Sequence, residues 1–160
     1  MKAEQTLKII SEQAGFSLEG HGNKSSASGK LLGFPVTATV ATQMLMPDTL
    51  TIVFHTEQAI DLKKLEQTFE EQIEKSAHKN LFAVQKSQGK SKGAAIAGML
   101  GGAIGGAIHG ALTGGGKGGD FELLITMGKD DEGIVIAKYQ EALAALELAL
   151  KQMGIAPDAG

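Results

Sequence analysis

The side chains best suited to proton transfer or metal ligation in this chain are four histidines, His21, His55, His78 and His109. A zinc site of the metalloprotease kind needs two histidines four apart on one helix face, and no H-x-x-x-H or HExxH spacing occurs. Their scatter, with no carboxylate at a diagnostic distance along the chain, predicts surface or structural histidines and no metal site. His109 stands apart because it falls inside an apolar repeat, where protonation at about pH 6 would oppose burial.

Phosphate chemistry is the next candidate. Leu81–Ser91 reads as a strand followed by a loop ending Gly89-Lys90-Ser91, as in a phosphate-binding loop. The pattern G-x-x-x-x-G-K-S wants its first glycine at position 84, which is Val84, and Gly118 follows Gly116-Lys117 where a hydroxyl is needed for magnesium. No nucleotide cofactor is expected. Glu70, Glu71 and Glu74 predict a solvated helix face, while Asp130, Asp131 and Glu132 lack calcium-loop spacing and suit a helix N-terminus. With no catalytic, cofactor or metal constellation, the expectation is a non-enzymatic protein, an enzyme acting on a small molecule being the third reading.

Composition narrows the partners. All fifteen basic residues are Lys, net charge is −3, and the guanidinium fork that reads guanine or phosphate is missing, which argues against nucleic acid. The chain has no Cys, so disulfides and thiolate chemistry are excluded. Apolar residues at 42% and charged residues at 21% suit one soluble domain over 1–160, and aromatics at 4% predict an aliphatic core. Glu4, Gln5, Lys8, Glu12 and Gln13 break up the first fifteen residues, so no secretory leader is expected. Residence in the cytoplasm is the default, with membrane association or leaderless export open.

The elements follow from periodicity. Leu7, Ile10 and Ala14 predict a helix over 2–14 that stops at Gly15; Phe16, Leu18 and Gly20 suggest a short strand, and the polar His21–Lys30 reads as a loop. Alternation predicts a strand over Leu31–Thr42, with Phe34, Val36, Ala38 and Val40 on one face and Pro35 marking an edge or a strand start. A loop with Met44, Met46, Pro47 and Asp48 leads to a second strand, Thr49–Thr56, completing a hairpin. Asp61 caps a helix running to about Lys79 through Leu62, Leu65, Phe69 and Ile73. Leu81–Lys86 and Phe121–Met127 are strands on either side of an insertion.

A last helix starts between Asp131 and Lys138, although Gly133–Ile136 could be a returning strand. Its stripe, Ile136, Tyr139, Leu143, Leu146, Leu150 and Met153, suits either the core face of a packed helix or a coiled-coil seam. The fold class is therefore α+β: an antiparallel sheet with helices packed on it, plus a Gly-rich helical or hairpin insertion between the last two strands. This element order is similar to that of type III secretion chaperones and their relatives, which implies an acidic, dimeric, partner-binding protein. Those proteins have no glycine-rich insertion.

The insertion, 89–119, holds 13 of the 22 glycines and a four-residue repeat. Ile96, Leu100, Ile104, Ile108 and Leu112 form one column, Gly98, Gly102, Gly106 and Gly110 a second, and Ala103, Ala107 and Ala111 a third. On a helix the glycine column lies about 200° from the Ile/Leu column, so a groove opposes a ridge. Residues 93–119 resemble the glycine-zipper segments of bacterial envelope and pore-forming proteins, which implies close helix crossing through Gly98, Gly102, Gly106 and Gly110.

Six glycines within Ala94–Leu112 cost a helix about 6 kcal/mol relative to alanine, so it needs cover. Burying the five Ile/Leu side chains would return about 10 kcal/mol. The expected function is thus self-association or membrane contact through Ile96, Gly98, Leu100, Gly102, Ile104, Gly106, Ile108, His109, Gly110 and Leu112 in a homo-oligomer. A soluble dimeric partner-binding module is the alternative, and docking within the protein or a plain linker also stays open for the segment itself.

Overall fold

The computed structural model describes residues 3–20, 25–43, 46–87, 120–128 and 130–157. Their elements run α1 (Ala3–Ala14), β1 (Ser17–Glu19), β2 (Ser26–Leu31), β3 (Phe34–Gln43), β4 (Met46–Phe54), α2 (Leu62–Ile73), β5 (Phe82–Lys86), β6 (Phe121–Thr126) and α3 (Glu132–Gln152). The six strands form one sheet in the order β1-β2-β3-β4-β6-β5, antiparallel at every step. It is an α+β fold. The Gly-rich segment between β5 and β6 lies outside the described residues.

Alternation sorts the strand residues onto two faces. Phe34, Val36, Ala38 and Val40 of β3, Leu50, Ile52 and Phe54 of β4, and Phe121, Leu123 and Ile125 of β6 are buried against Leu7 and Ile10 of α1, Leu65 and Phe69 of α2, and Tyr139 and Leu146 of α3. All three helices share this one core cluster, so they lie on the same side of the sheet. The core is more aromatic than composition suggested: all six phenylalanines are buried. Phe54 and Phe121 stack at 5.0 Å between centroids, with Phe34 set edge-on to both. Each Phe supplies a large contact area to a core that is otherwise aliphatic.

Four expectations change. His21–Lys30 is not one loop, since Ser26–Leu31 forms β2, paired along its whole length with β3. Its polar residues belong to a strand because pairing, rather than propensity, decides there. Gly29 lets the strand pass Phe16, whose ring would meet a Cβ at 2.5 Å. Strand β3 starts at Phe34 because Leu32 and Gly33, with φ of 54° and 86°, make the turn from β2. Both central residues have positive φ, as a type I′ hairpin requires. Pro35 therefore marks a strand start on an interior strand.

The hairpin partner β4 begins at Met46, so Pro47 and Asp48 belong to the strand, and Met127 N–H donates to Asp48 O at 2.7 Å. Helix α2 is capped by Asp61, which accepts from Lys64 N at 3.1 Å, but it ends at Ile73 rather than near Lys79. Ile73 is the last apolar tooth, and Ser76 Oγ accepts from His78 N at 3.0 Å to turn the chain into a short 3₁₀ turn, Lys79–Leu81.

Helix α3 starts at Glu132 with Asp131 as its cap, so Gly133–Ile136 is helical. Its stripe is a core face, in which Tyr139, Leu146 and Leu150 are buried, while Ile136, Leu143 and Met153 pack on the margin. Val135, Ala142, Ala145 and Ala149 are the unforeseen buried members, small residues that let α3 lie close to its neighbours. Lys138, 4% exposed, finds polar partners in this setting by donating to Thr126 O at 3.0 Å and pairing with Asp130.

Burial pushes the Tyr139 hydroxyl up to about 12 from its ordinary 10.0. A raised value in the folded state means that the neutral phenol stabilises the fold fully below pH 10.0, and this contribution disappears as pH climbs towards 12. Alkaline denaturation followed by ultraviolet absorbance reports it directly, because Tyr139 is the one tyrosine. Tyr139→Phe should flatten the pH dependence in that window.

Candidate functional site at the base of the insertion

The paired residues Phe54 and Phe121 end the β4–β6 ladder, and one step beyond them the strand ends bring His55 beside Asp120. His55 N–H donates to Pro35 O at 2.9 Å, which holds this end of β4 against β3. The imidazole bridges two further strands: Nδ1 lies 2.9 Å from Asp120 Oδ2, and Nε2 lies 2.9 Å from Thr37 Oγ1. In the neutral ring the carboxylate selects the tautomer with Nδ1–H donating, leaving Nε2 to accept from the Thr37 hydroxyl. Thr56 N–H donates to Asp120 Oδ1 at 3.1 Å, and Asp120 O accepts from Ser87 N at 3.0 Å.

Asp120 is thus the residue at which the chain re-enters the sheet, and it is tied at three atoms. Ser87 is the last described residue before the insertion, so the departing and returning ends meet in one backbone hydrogen bond. Next to this junction, Gln85 Nε2 donates to buried Glu122 Oε2 at 3.0 Å.

Hydroxyl, imidazole and carboxylate in this order are the parts of an acyl-transfer triad. Catalysis of that kind also needs donors aimed at a developing oxyanion and a site that excludes water. Thr56 N–H is taken up by Asp120, and the side chains of His55 and Asp120 are each 41% exposed. What the arrangement does on its own geometry is fasten β3, β4 and β6 together where the insertion returns.

The ten residues read from the repeat, Ile96, Gly98, Leu100, Gly102, Ile104, Gly106, Ile108, His109, Gly110 and Leu112, lie outside the described residues, as do His21, the Gly89-Lys90-Ser91 stretch and Gly116-Lys117. Glu70 and Glu71 are exposed on α2 and Glu74 is exposed at its C-cap, and Asp131 accepts from Ile134 N at 2.9 Å as the cap of α3.

Two of the histidines find carboxylates through the fold, at separations far beyond any motif spacing. His55 meets Asp120 across 65 positions, and His78 Nδ1 lies 3.5 Å from Glu141 Oε2, an ion-pair distance rather than a hydrogen bond. Neither pair has a local spacing signal. The one clue for His55 is that it follows a strand whose partner is preceded by an aspartate, which becomes visible only when Phe54 is aligned with Phe121. No family model matches the chain, and no curated protein matches it either.

Asp120→Ala should lower stability by about 1 kcal/mol in urea titrations, because the lost hydrogen bonds are partly open to water. Hydrogen exchange at Thr56 N–H should accelerate in the same variant, since its acceptor is gone.

Proposed function

We propose that this is a non-enzymatic protein in which an α+β domain presents a glycine-zipper segment for self-association or membrane contact. The observation that supports it most is the junction of Ser87 and Asp120, joined by a 3.0 Å backbone hydrogen bond where β5 ends and β6 begins. The 32 residues between them, 88–119, keep Ile or Leu at every fourth place from Ile96 to Leu112. A plain Gly-rich linker has no reason for that spacing.

The junction also limits how such a segment meets a bilayer. A helix over Ala94–Leu112 is about 28 Å long, enough to reach across the hydrocarbon. The seven residues 113–119 extend to about 25 Å at most, so they are too short to return the chain to Asp120. Membrane contact by this route takes the form of a folded-back hairpin or a helix lying in the interface, not a single crossing. Among the described residues, no helix is long and apolar enough to cross a membrane.

A second reading, a soluble dimeric partner-binding module, is favoured by α3. There Ile134 and Leu148 are 41% and 49% exposed, and their fourteen-residue spacing puts them on nearly the same side of the helix.

Removing Lys92–Gly118 separates the two readings. Light scattering after size exclusion, with and without detergent, together with liposome flotation, should show oligomers or vesicle binding for the full chain and neither for the deletion variant. A deletion variant that stays folded and keeps an unchanged dimer supports the second reading instead.

A further inference from the structure

Among the described residues three large apolar side chains are exposed, Leu18, Ile134 and Leu148, and two of them stand on α3. Between these two, Ala137 and Ala144 are exposed as well. At about 100° per residue the four lie within about 80° of one another, so they form one apolar stripe, turned away from the face that carries Val135, Ala142 and Leu146 into the core. A helix that only covers a sheet needs apolar residues on a single face. Helix α3 has them on two.

The stripe reads alike in both directions: large, small, small, large. Turned end over end onto a copy of itself, it sets Ile134 against the partner's Leu148 and Ala137 against the partner's Ala144. Two crossing helices come nearest at their midpoint and separate towards their ends, so alanines suit the middle, and Ile and Leu fill the wider gap outside it. The charges run in the same sense. Asp131 and Glu132 stand at the start of α3 and Lys151 in its last turn, so the antiparallel arrangement brings the Lys151 of each copy to the acidic end of the other, where a parallel one would set like charges together. Glu141 sits at the midpoint, but its carboxylate is held to one side: it accepts from Ser76 Oγ and lies 3.5 Å from His78 Nδ1, in the turn that follows α2.

We infer that a second copy of this chain docks on α3 through Ile134, Ala137, Ala144 and Leu148, the two helices running antiparallel about a two-fold axis near Glu141. The inference deepens the dimeric reading given above. It uses no residue of 88–119, so it stands or falls apart from the glycine-zipper proposal. One helix face from each copy makes a contact smaller than the standard interface of about 1,600 Å², which puts the dimer in the weak, concentration-dependent class.

Sedimentation equilibrium of the full chain over a wide range of concentration should show monomer and dimer in exchange. Leu148→Glu, at an exposed position, should keep the circular dichroism spectrum and raise the dimer dissociation constant by about tenfold or more. Ala144→Glu is the second variant should Leu148→Glu fold poorly. The chain has no native cysteine, so oxidation can read the orientation: a mixture of Ile134→Cys and Leu148→Cys proteins should form disulfide-linked dimers. Each variant alone should not, because its two thiols lie about 20 Å apart along the helices. A chain that is monomeric throughout, dimers that Leu148→Glu leaves intact, a mixture that does not link, or linkage within a single variant overturns the inference. Oligomers that survive Leu148→Glu and vanish on deletion of Lys92–Gly118 remove this interface and leave the glycine-zipper proposal standing. Dimers lost in Leu148→Glu and kept by the deletion variant establish the α3 interface and remove self-association through the segment.

Discussion

The fold depends on one strand that is buried on both faces. Strand β6 places Phe121, Leu123 and Ile125 in the helix-covered core and Glu122 and Leu124 on the other side, all of them almost inaccessible to water. It also supplies both neighbours with hydrogen-bond partners, β4 along one edge and β5 along the other. Without it, β4 and β5 have unpaired backbone groups and the sheet is divided into a four-strand meander and a stray edge strand. The chain delivers this central strand late, after it has already laid down the outer one.

That order of assembly explains the concentration of specific contacts at Asp120. A strand entering between two others must arrive in register, since a slip of one residue would exchange Glu122 and Leu124 for the aromatic and aliphatic residues of the core. The stacked pair Phe54 and Phe121 sets the register by packing, and the pairing of His55 with Asp120 sets it again by hydrogen bonding one position further out. Buried Glu122 with its Gln85 donor repeats the device on the other side of the junction. A carboxylate taken from water is tolerated only when aligned with its donors, so a misregistered strand is penalised more heavily than an apolar one would be.

Much of this was legible in the sequence, and the parts that were not share a cause. Alternation in 34–42 and 49–54, the cap at Asp61 and the 3-4 spacing after Asp131 are local signals, and they identified β3, β4, α2 and α3. Strand β2 has no local signal, because Ser26, Ser28 and Lys30 are polar and Gly29 has no side chain. Its strand character comes from β3 and from the ring of Phe16 lying over Gly29. The end of α2 has no local marker, because the charged residues after Ile73 are acceptable to a helix but give it nothing to bury. The Thr37–His55–Asp120 cluster is invisible to spacing rules, as its members are brought together by the order of the strands.

The junction of Ser87 and Asp120 has a consequence for how this chain can vary. With both ends pinned a hydrogen bond apart, what the junction fixes is the closure of the chain between them, a cost that for a flexible loop grows only by about 0.6 kcal/mol for each doubling of its length. The junction itself therefore sets no narrow limit on the number of residues between Ser87 and Asp120.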